Sequence, residues 1–393
     1  MESNELFLLP DWVFDILHEF VYQFQGFCQF RAAIYSSAKK HKVDVNDFSG
    51  VNPDSLPRHL LENLSLLHHN SDAWSIDAVT SYLERLIAIG SAPNAKASYQ
   101  YLAIFSSITL SRLECLIGDY QSCLDSTSFL LEPPKQEWTI HHQSDPLQTA
   151  SEVVMSVFGA RLSYTYHASI AYLMTRRYKD ATRVLGDICS YMQRGFKTGQ
   201  LHRNVPNADQ HHKMYDRMIA LLAILTHICP PAGLVEDAVM KTIRDKHSAV
   251  SGNYKDLFVF ASPKFISPTA ECDTYNLQMR QFQNEMNIQN NYRKLRSYLK
   301  LYTSIPVSKL AKFHDMTEEE FLPLLLSYKH KMRQAEVGSD ELKSAMDIHY
   351  HLKGELVHVD EAEKQRRFEN YFMAQITQNM EIARDVSKIN TTV

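Results

Sequence analysis

Apolar side chains recur at spacings of three and four along almost the whole chain, and a chain written in that period can bury them only by stacking helix on helix. Between Asp11 and Ala33 the residues Trp12, Ile16, Phe20, Phe24 and Phe27 mark one such face, with Pro10 and Asp11 as start signals. The segment SLPRHLLENLSLLHH reads as a second helix, and Ile76 to Ile89 as a third that Gly90 and Pro93 stop. Between them, the stretch from Lys40 to Pro57 is rich in Gly, Pro, Asp and Asn and reads as a surface loop.

Four further helical segments fall into two pairs, Ala97 to Ile117 with Tyr120 to Leu131, and Val153 to Met174 with Tyr178 to Met192. Their junctions, RLECLIGDYQSCLDS and SIAYLMTRRYKDATRVL, share one pattern. A long helix ends in a tight turn, an aromatic residue follows (Tyr120, Tyr178), and a small residue sits three further on (Cys123, Ala181). A ring over the turn and a small side chain at the helix crossing is the packing logic of a tetratricopeptide-like hairpin. The two tyrosines are 58 residues apart, too far for the regular repeat of about 34. The pattern predicts an irregular right-handed helical solenoid. Helices at Tyr215 to Cys229 and Leu234 to His247 extend it, and the two Ser-Pro steps of ASPKFISP place its end near residue 270.

The last third changes character. Tyr275 to Leu301 reads as a long helix. Pro306 opens a short helix through Phe313, and Thr317 with Glu320 has the spacing of a capping box for another. Ile348, Tyr350 and Leu352 then alternate on one strand face, Gly354 turns the chain and LVHV supplies a partner strand. Three helices and a two-stranded wing make a winged helix over residues 271–360. Residues 361–393 carry Phe368, Phe372, Ile376, Met380, Ala383 and Val386 on one helical stripe, a candidate bundle element. The fold class is therefore all-α dominated, with α+β character at its C-terminal end.

Chemistry-bearing motifs are missing. The glycines form neither G-x-G-x-x-G nor G-x-x-x-x-G-K-[ST], and no G-x-S-x-G or H-E-x-x-H occurs. Neither an enzyme nor a cofactor is expected. The doublets His68/His69, His141/His142 and His211/His212 point apart on a helix and suit no shared ion, and His349 and His351 lack a local carboxylate or thiol cluster. Cys28, Cys115, Cys123, Cys189, Cys229 and Cys272 contain no C-x-x-C, so they read as reduced, mostly buried thiols. The acidic start MESNELFLLPDW is no ordinary signal peptide, and apolar runs such as Ile219 to Leu225 are far short of the roughly 20 residues of a membrane span. A cytoplasmic protein is expected.

A formal charge of −4 gives no global drive onto nucleic acid. Residues 291–333 are locally basic, with nine Lys and Arg against four acidic residues, yet Glu318, Glu319 and Glu320 occupy the end of the helix that would enter a DNA groove. RNA contact through Lys329, Lys331 and Arg333 is the candidate that survives.

A helical solenoid running into a winged helix and a terminal helix resembles the PCI domain of proteasome-lid, signalosome and initiation-factor scaffolds. The stretches DWVFDILHEFVYQFQGFCQFR, AYLMTRRYKDATRVLGDI, ALLAILTHICP, SPKFISP and RSYLKLYTSIPVSKLAKFHDMTEEEF are similar to the subunit L family of eukaryotic translation initiation factor 3, collinearly over nearly the whole chain. In that family a long helical stretch precedes the segment that here begins at Asp11. The resemblance implies a non-catalytic scaffold that supports assembly of the factor and recruitment of the small ribosomal subunit and mRNA. It implies subunits K and E as neighbours, with the wing (Ile348, Tyr350, Leu352) and the terminal stripe (Phe368, Phe372, Ile376, Met380) as the interface. A PCI scaffold of a proteasome-lid or signalosome-like particle is the alternative.

Overall fold

The computed structural model describes residues 8–43, 57–70, 73–92, 95–131, 139–140, 148–201, 208–229, 233–247, 254–269, 273–338, 341–360, 372, 375–380, 382–383 and 386. By packing, the chain forms two compact units, one of residues 1–293 with 328–345 and one of residues 294–327 with 346–393.

The first unit opens with α1 (Pro10–Lys40), α2 (Arg58–His69), α3 (Ile76–Gly90), α4 (Ala97–Ile117), α5 (Tyr120–Ser126) and α6 (Ser128–Leu131). A short ribbon, β1 (Thr139–Ile140) with β2 (Gln148–Thr149), leads into α7 (Ala150–Ser156), α8 (Phe158–Met174), α9 (Tyr178–Thr198), α10 (Ala208–Ile228), α11 (Asp237–His247) and α12 (Tyr254–Ala261). The two predicted hairpins are present. Their helices break at Thr127 and Val157, where the sequence suggested continuous segments.

Local chemistry sets the helix ends. The Ser75 hydroxyl accepts from the Ala78 amide, Asp119 accepts from the Ser122 amide, and Thr149 with Glu152 closes a capping box ahead of α7. Gly118 ends α4 at φ 92°, the left-handed conformation that glycine adopts without a Cβ penalty. Gly90 is required for a different reason: a Cβ there would lie 2.0 Å from the Tyr99 carbonyl oxygen, so α3 and α4 can meet only over a bare backbone.

Helices α4 and α8 are buried on most of their circumference, as expected of the middle layer of a helical stack. Val21, Phe24, Leu83, Phe105, Ile108 and Val154 belong to the core around α4. Tyr120, Tyr178, Cys123 and Ala181 are all buried. Ser111 Oγ donates to the Cys123 carbonyl at 2.7 Å, a measure of how closely α4 and α5 approach.

The long helix α13 (Thr274–Leu299) belongs to this unit through Arg293, and residues 328–345 return to it as a strap. The strap contains β4 (Arg333–Gln334) paired with β5 (Lys343–Ser344). Lys179 Nζ contacts Glu336 at 2.7 Å and donates to the Ser344 carbonyl at 3.1 Å. The buried Asp180 carboxylate is held by Arg177 at 2.8 Å and accepts from the Val337 amide at 3.2 Å. The strap was not foreseen from sequence.

The second unit holds β3 (Ser304–Pro306), α14 (Val307–Phe313), the part of α15 (Glu318–Lys331) up to Ser327, β6 (His349–Lys353) and β7 (Leu356–Asp360). Its antiparallel sheet has the order β3-β7-β6. The sequence predicted a two-stranded wing; the added strand β3 ends at Pro306, which precedes α14 instead of lying in its first turn. Helix α15 begins with the predicted capping box, with the Glu320 amide donating to Thr317 Oγ1 and the Thr317 amide to the Glu320 carboxylate. Gly354, at φ 63°, turns β6 into β7.

Candidate interaction surfaces

The wing is built around side chains that the sequence put forward as interface residues. Ile348 and Tyr350 are buried, and the Tyr350 hydroxyl donates to the Leu325 carbonyl at 2.6 Å. Period-two alternation identifies their common face but not what covers it. Phe321, Leu325 and Val357 of the same unit are buried as well. These two side chains therefore stabilise the wing and are not available to a partner, which corrects the expectation. Leu352, on the same face, is exposed.

What the wing presents is backbone. Strand β7 is paired on both sides, whereas β6 pairs with β7 alone among the described residues. An open strand edge is a row of unsatisfied donors and acceptors that another chain can complete. The face opposite the core carries His349 across from Asp360 and His351 across from His358, the last two rings stacked at 5.4 Å. Their cross-strand pairing was invisible in the sequence because it depends on register.

The wing is anchored by ions at its base. Arg296 grips Asp347 in a two-bonded fork at 2.7 and 2.6 Å, and Lys300 adds a contact at 2.9 Å. Burial would push the Asp347 carboxyl upward, but the bonds and charges of Arg296 and Lys300 prevail and bring its pKa down to about 2.

The second surface is the terminal helix. Residues 372, 375–380, 382–383 and 386 are helical wherever they are described. Ile376, Met380 and Val386 are 51%, 63% and 50% exposed, and Phe372 is exposed as well. Phe368 lies outside the described residues.

The basic cluster is not uniform. Lys329 and Arg333 are exposed, whereas Lys331 is half-buried and paired with Glu285 at 3.3 Å. In one histidine doublet His211 meets Phe158 edge-on while His212 stacks on Phe196 at 4.2 Å, whereas the rings of His68 and His69 meet each other edge to face at 6.2 Å. His141 and His142 lie outside the described residues. Cys28, Cys115, Cys123, Cys189 and Cys229 are free and buried, and Cys272 lies outside the described residues. Among the described residues no helix is long and apolar enough to cross a membrane.

A family described as RNA polymerase I-associated factor PAF67 matches residues 1–379. Curated proteins named eukaryotic translation initiation factor 3 subunit L match across nearly the whole chain. Those of Gallus gallus and Homo sapiens are each 30% identical over 97% of this chain and 68% of their own length. That of Nematostella vectensis is 27% identical over 99% of this chain and 74% of its own. The chain belongs to the eukaryotic translation initiation factor 3 subunit L family.

Proposed function

We propose that the chain is a non-catalytic scaffold component of initiation factor 3, acting in the cytoplasm, that docks through the open edge of β6 and the apolar stripe of its terminal helix. The observation that carries this reading is the exposure of Ile376 and Met380, one helical turn apart, with Val386 exposed beyond them. Such a stripe is stable in water only when another apolar surface covers it. The relatives' name supplies the complex in which to look for that surface. Subunits K and E are the two neighbours. A winged-helix protein such as K suits the strand edge, because edge-to-edge pairing needs only backbone on both sides. Contact with the small ribosomal subunit comes through the assembled complex. Any direct RNA contact falls on Lys329, Lys331 and Arg333, of which Lys329 and Arg333 are the more exposed. The proteasome-lid alternative is not favoured by relatives that are named initiation-factor subunits. Affinity purification of the tagged chain followed by identification of the bound proteins tests the reading. Recovery of initiation factor 3 subunits, K and E among them, is expected; recovery of lid or signalosome subunits in their place would overturn it.

A further inference from the structure

A cavity of about 630 Å³ lies in the first unit between the turn joining α8 to α9 and one flank of α13. It belongs neither to the wing nor to the terminal helix. Its floor is apolar: Leu173, Phe282 and Met286 are buried beneath it. Its rim is cationic, with Arg176 from the turn, Arg280 from α13 and Lys331 from the end of α15.

The single carboxylate in the lining is already engaged. Glu285 accepts from the Tyr178 hydroxyl at 3.2 Å and from Gln289 at 3.0 Å, and it pairs with Lys331 at 3.3 Å. Arg176 and Arg280 are exposed and have no ion-pair partner among the described residues. The site is therefore net positive around an apolar floor. Leu277 on the same flank is 50% exposed, adding apolar surface without cover.

The position of Arg176 is fixed by its backbone. At φ 65° it occupies the left-handed region that glycine adopts more easily. Its amide donates to the Leu173 carbonyl at 3.2 Å, and the next amide, of Arg177, to the Tyr172 carbonyl at 2.8 Å. The turn thus holds a long cationic side chain at the cavity mouth, where the backbone alone would favour glycine.

We infer that this groove receives an acidic amphipathic helix of a partner protein, apolar residues packed over the exposed Leu277 and the half-buried Met174 and Ile288 and carboxylates toward Arg176 and Arg280. The lining of α13 runs from Leu277 to Ile288, about 16 Å of helix at 1.5 Å per residue, which matches three turns of a ligand helix. Charge complementarity sets the sign of the ligand, and the apolar floor sets its class. A nucleic acid fits less well. Phe282 is buried and stacked on Phe258 at 3.8 Å, so it offers no ring face to a base, and an apolar floor gains nothing from phosphate.

The test uses the purified full chain and two fluorescein-labelled probes. One is a capped peptide of about three helical turns, with leucines on one face and glutamates beside them; the other is an oligouridylate of similar length. Saturable binding of the peptide is expected, weakened at least about tenfold in the Arg176→Glu, Arg280→Glu double variant and unchanged in Lys353→Glu, a charge reversal on the wing. Both arginines are exposed, so the double variant should melt with the wild type. Leu277→Asp should weaken the peptide as well. Absence of peptide binding, or binding indifferent to the arginines, overturns the inference. Arginine-dependent capture of the oligouridylate without the peptide overturns it in favour of an RNA surface. Co-purification with initiation factor subunits is a separate readout, so failure of the groove and failure of the scaffold reading are distinguishable.

Discussion

The Tyr178 hydroxyl lies 3.2 Å from the Glu285 carboxylate, joining the turn of the second hairpin to the middle of α13. Tyr120 makes the equivalent bond from the first hairpin, to Gln278 at 2.7 Å. Glu285 and Gln278 are seven residues apart, two turns of one helix. The ring that closes each hairpin thus also fastens it to the helix that leads toward the winged helix in sequence.

Removing one of these hydroxyls leaves a partly buried carboxylate short of a donor. Tyr178→Phe should destabilise the chain by about 1–2 kcal/mol, read as a lower urea midpoint at unchanged slope. An unaltered midpoint would show that the bond to Glu285 contributes nothing.

Ala181 is fully buried three residues after Tyr178, where α9 meets α8. Ala181→Leu should overpack that crossing and cost about 1–3 kcal/mol. A melting temperature equal to the wild type would mean that the helices are not in close contact there.

Glu114 gives a pH dependence whose sign is fixed. Burial pushes its carboxyl up to about 7, against the hydrogen bond from Ser126 and with help from Asp119, Asp125 and Glu84. A folded pKa above the unfolded one means that the folded chain holds the proton more tightly. This contribution to stability is complete below the unfolded value of 4.5 and is lost as the pH rises through about 7. Glu114→Gln should therefore gain about 1–2 kcal/mol over the wild type at pH 8, after discounting for the group's partial solvation, and the gap should close toward pH 4.5. Paired denaturation curves at the two pH values check this; a constant difference would contradict it.

At the wing, saturating subunit K should slow hydrogen exchange in residues 349–353 of β6 and leave β7, already paired on both sides, unchanged. Equal exchange in β6 with and without K would remove this edge from the contact.

The hairpins were legible because their information is local: a turn, a ring and a small residue lie within a dozen positions, as at Gly118, Tyr120 and Cys123. The capping box of Thr317 and Glu320 and the glycine turn at Gly354 were legible for the same reason. Strand β3 was not, since three residues ending in proline become a strand only by pairing with Leu356 to His358, about fifty positions later. The strap was hidden likewise, its anchors Lys179 and Asp180 being more than 150 positions from Glu336 and Val337. For the candidate surfaces, alternation put Ile348, Tyr350 and Leu352 on one strand face, whereas β6 begins at His349, one residue after Ile348. It could not say that the first two would be interior, because that depends on α15 packing across them. The groove beside Arg176 left no sequence signal, for its cations come from three separate segments.

The scaffold role stands or falls on a terminal helix that docks intermolecularly. Replacing Ile376 and Met380 with Asp puts two charges on the exposed stripe, where the free chain can solvate them but an apolar interface cannot. The deciding measurement is a pull-down of initiation factor 3 subunits by this double variant, with thermal unfolding of the isolated chain recorded beside it. The expected result is loss of the partner subunits with an unchanged melting temperature. Full retention of those subunits, or loss accompanied by collapse of the isolated chain's melting transition, would contradict it.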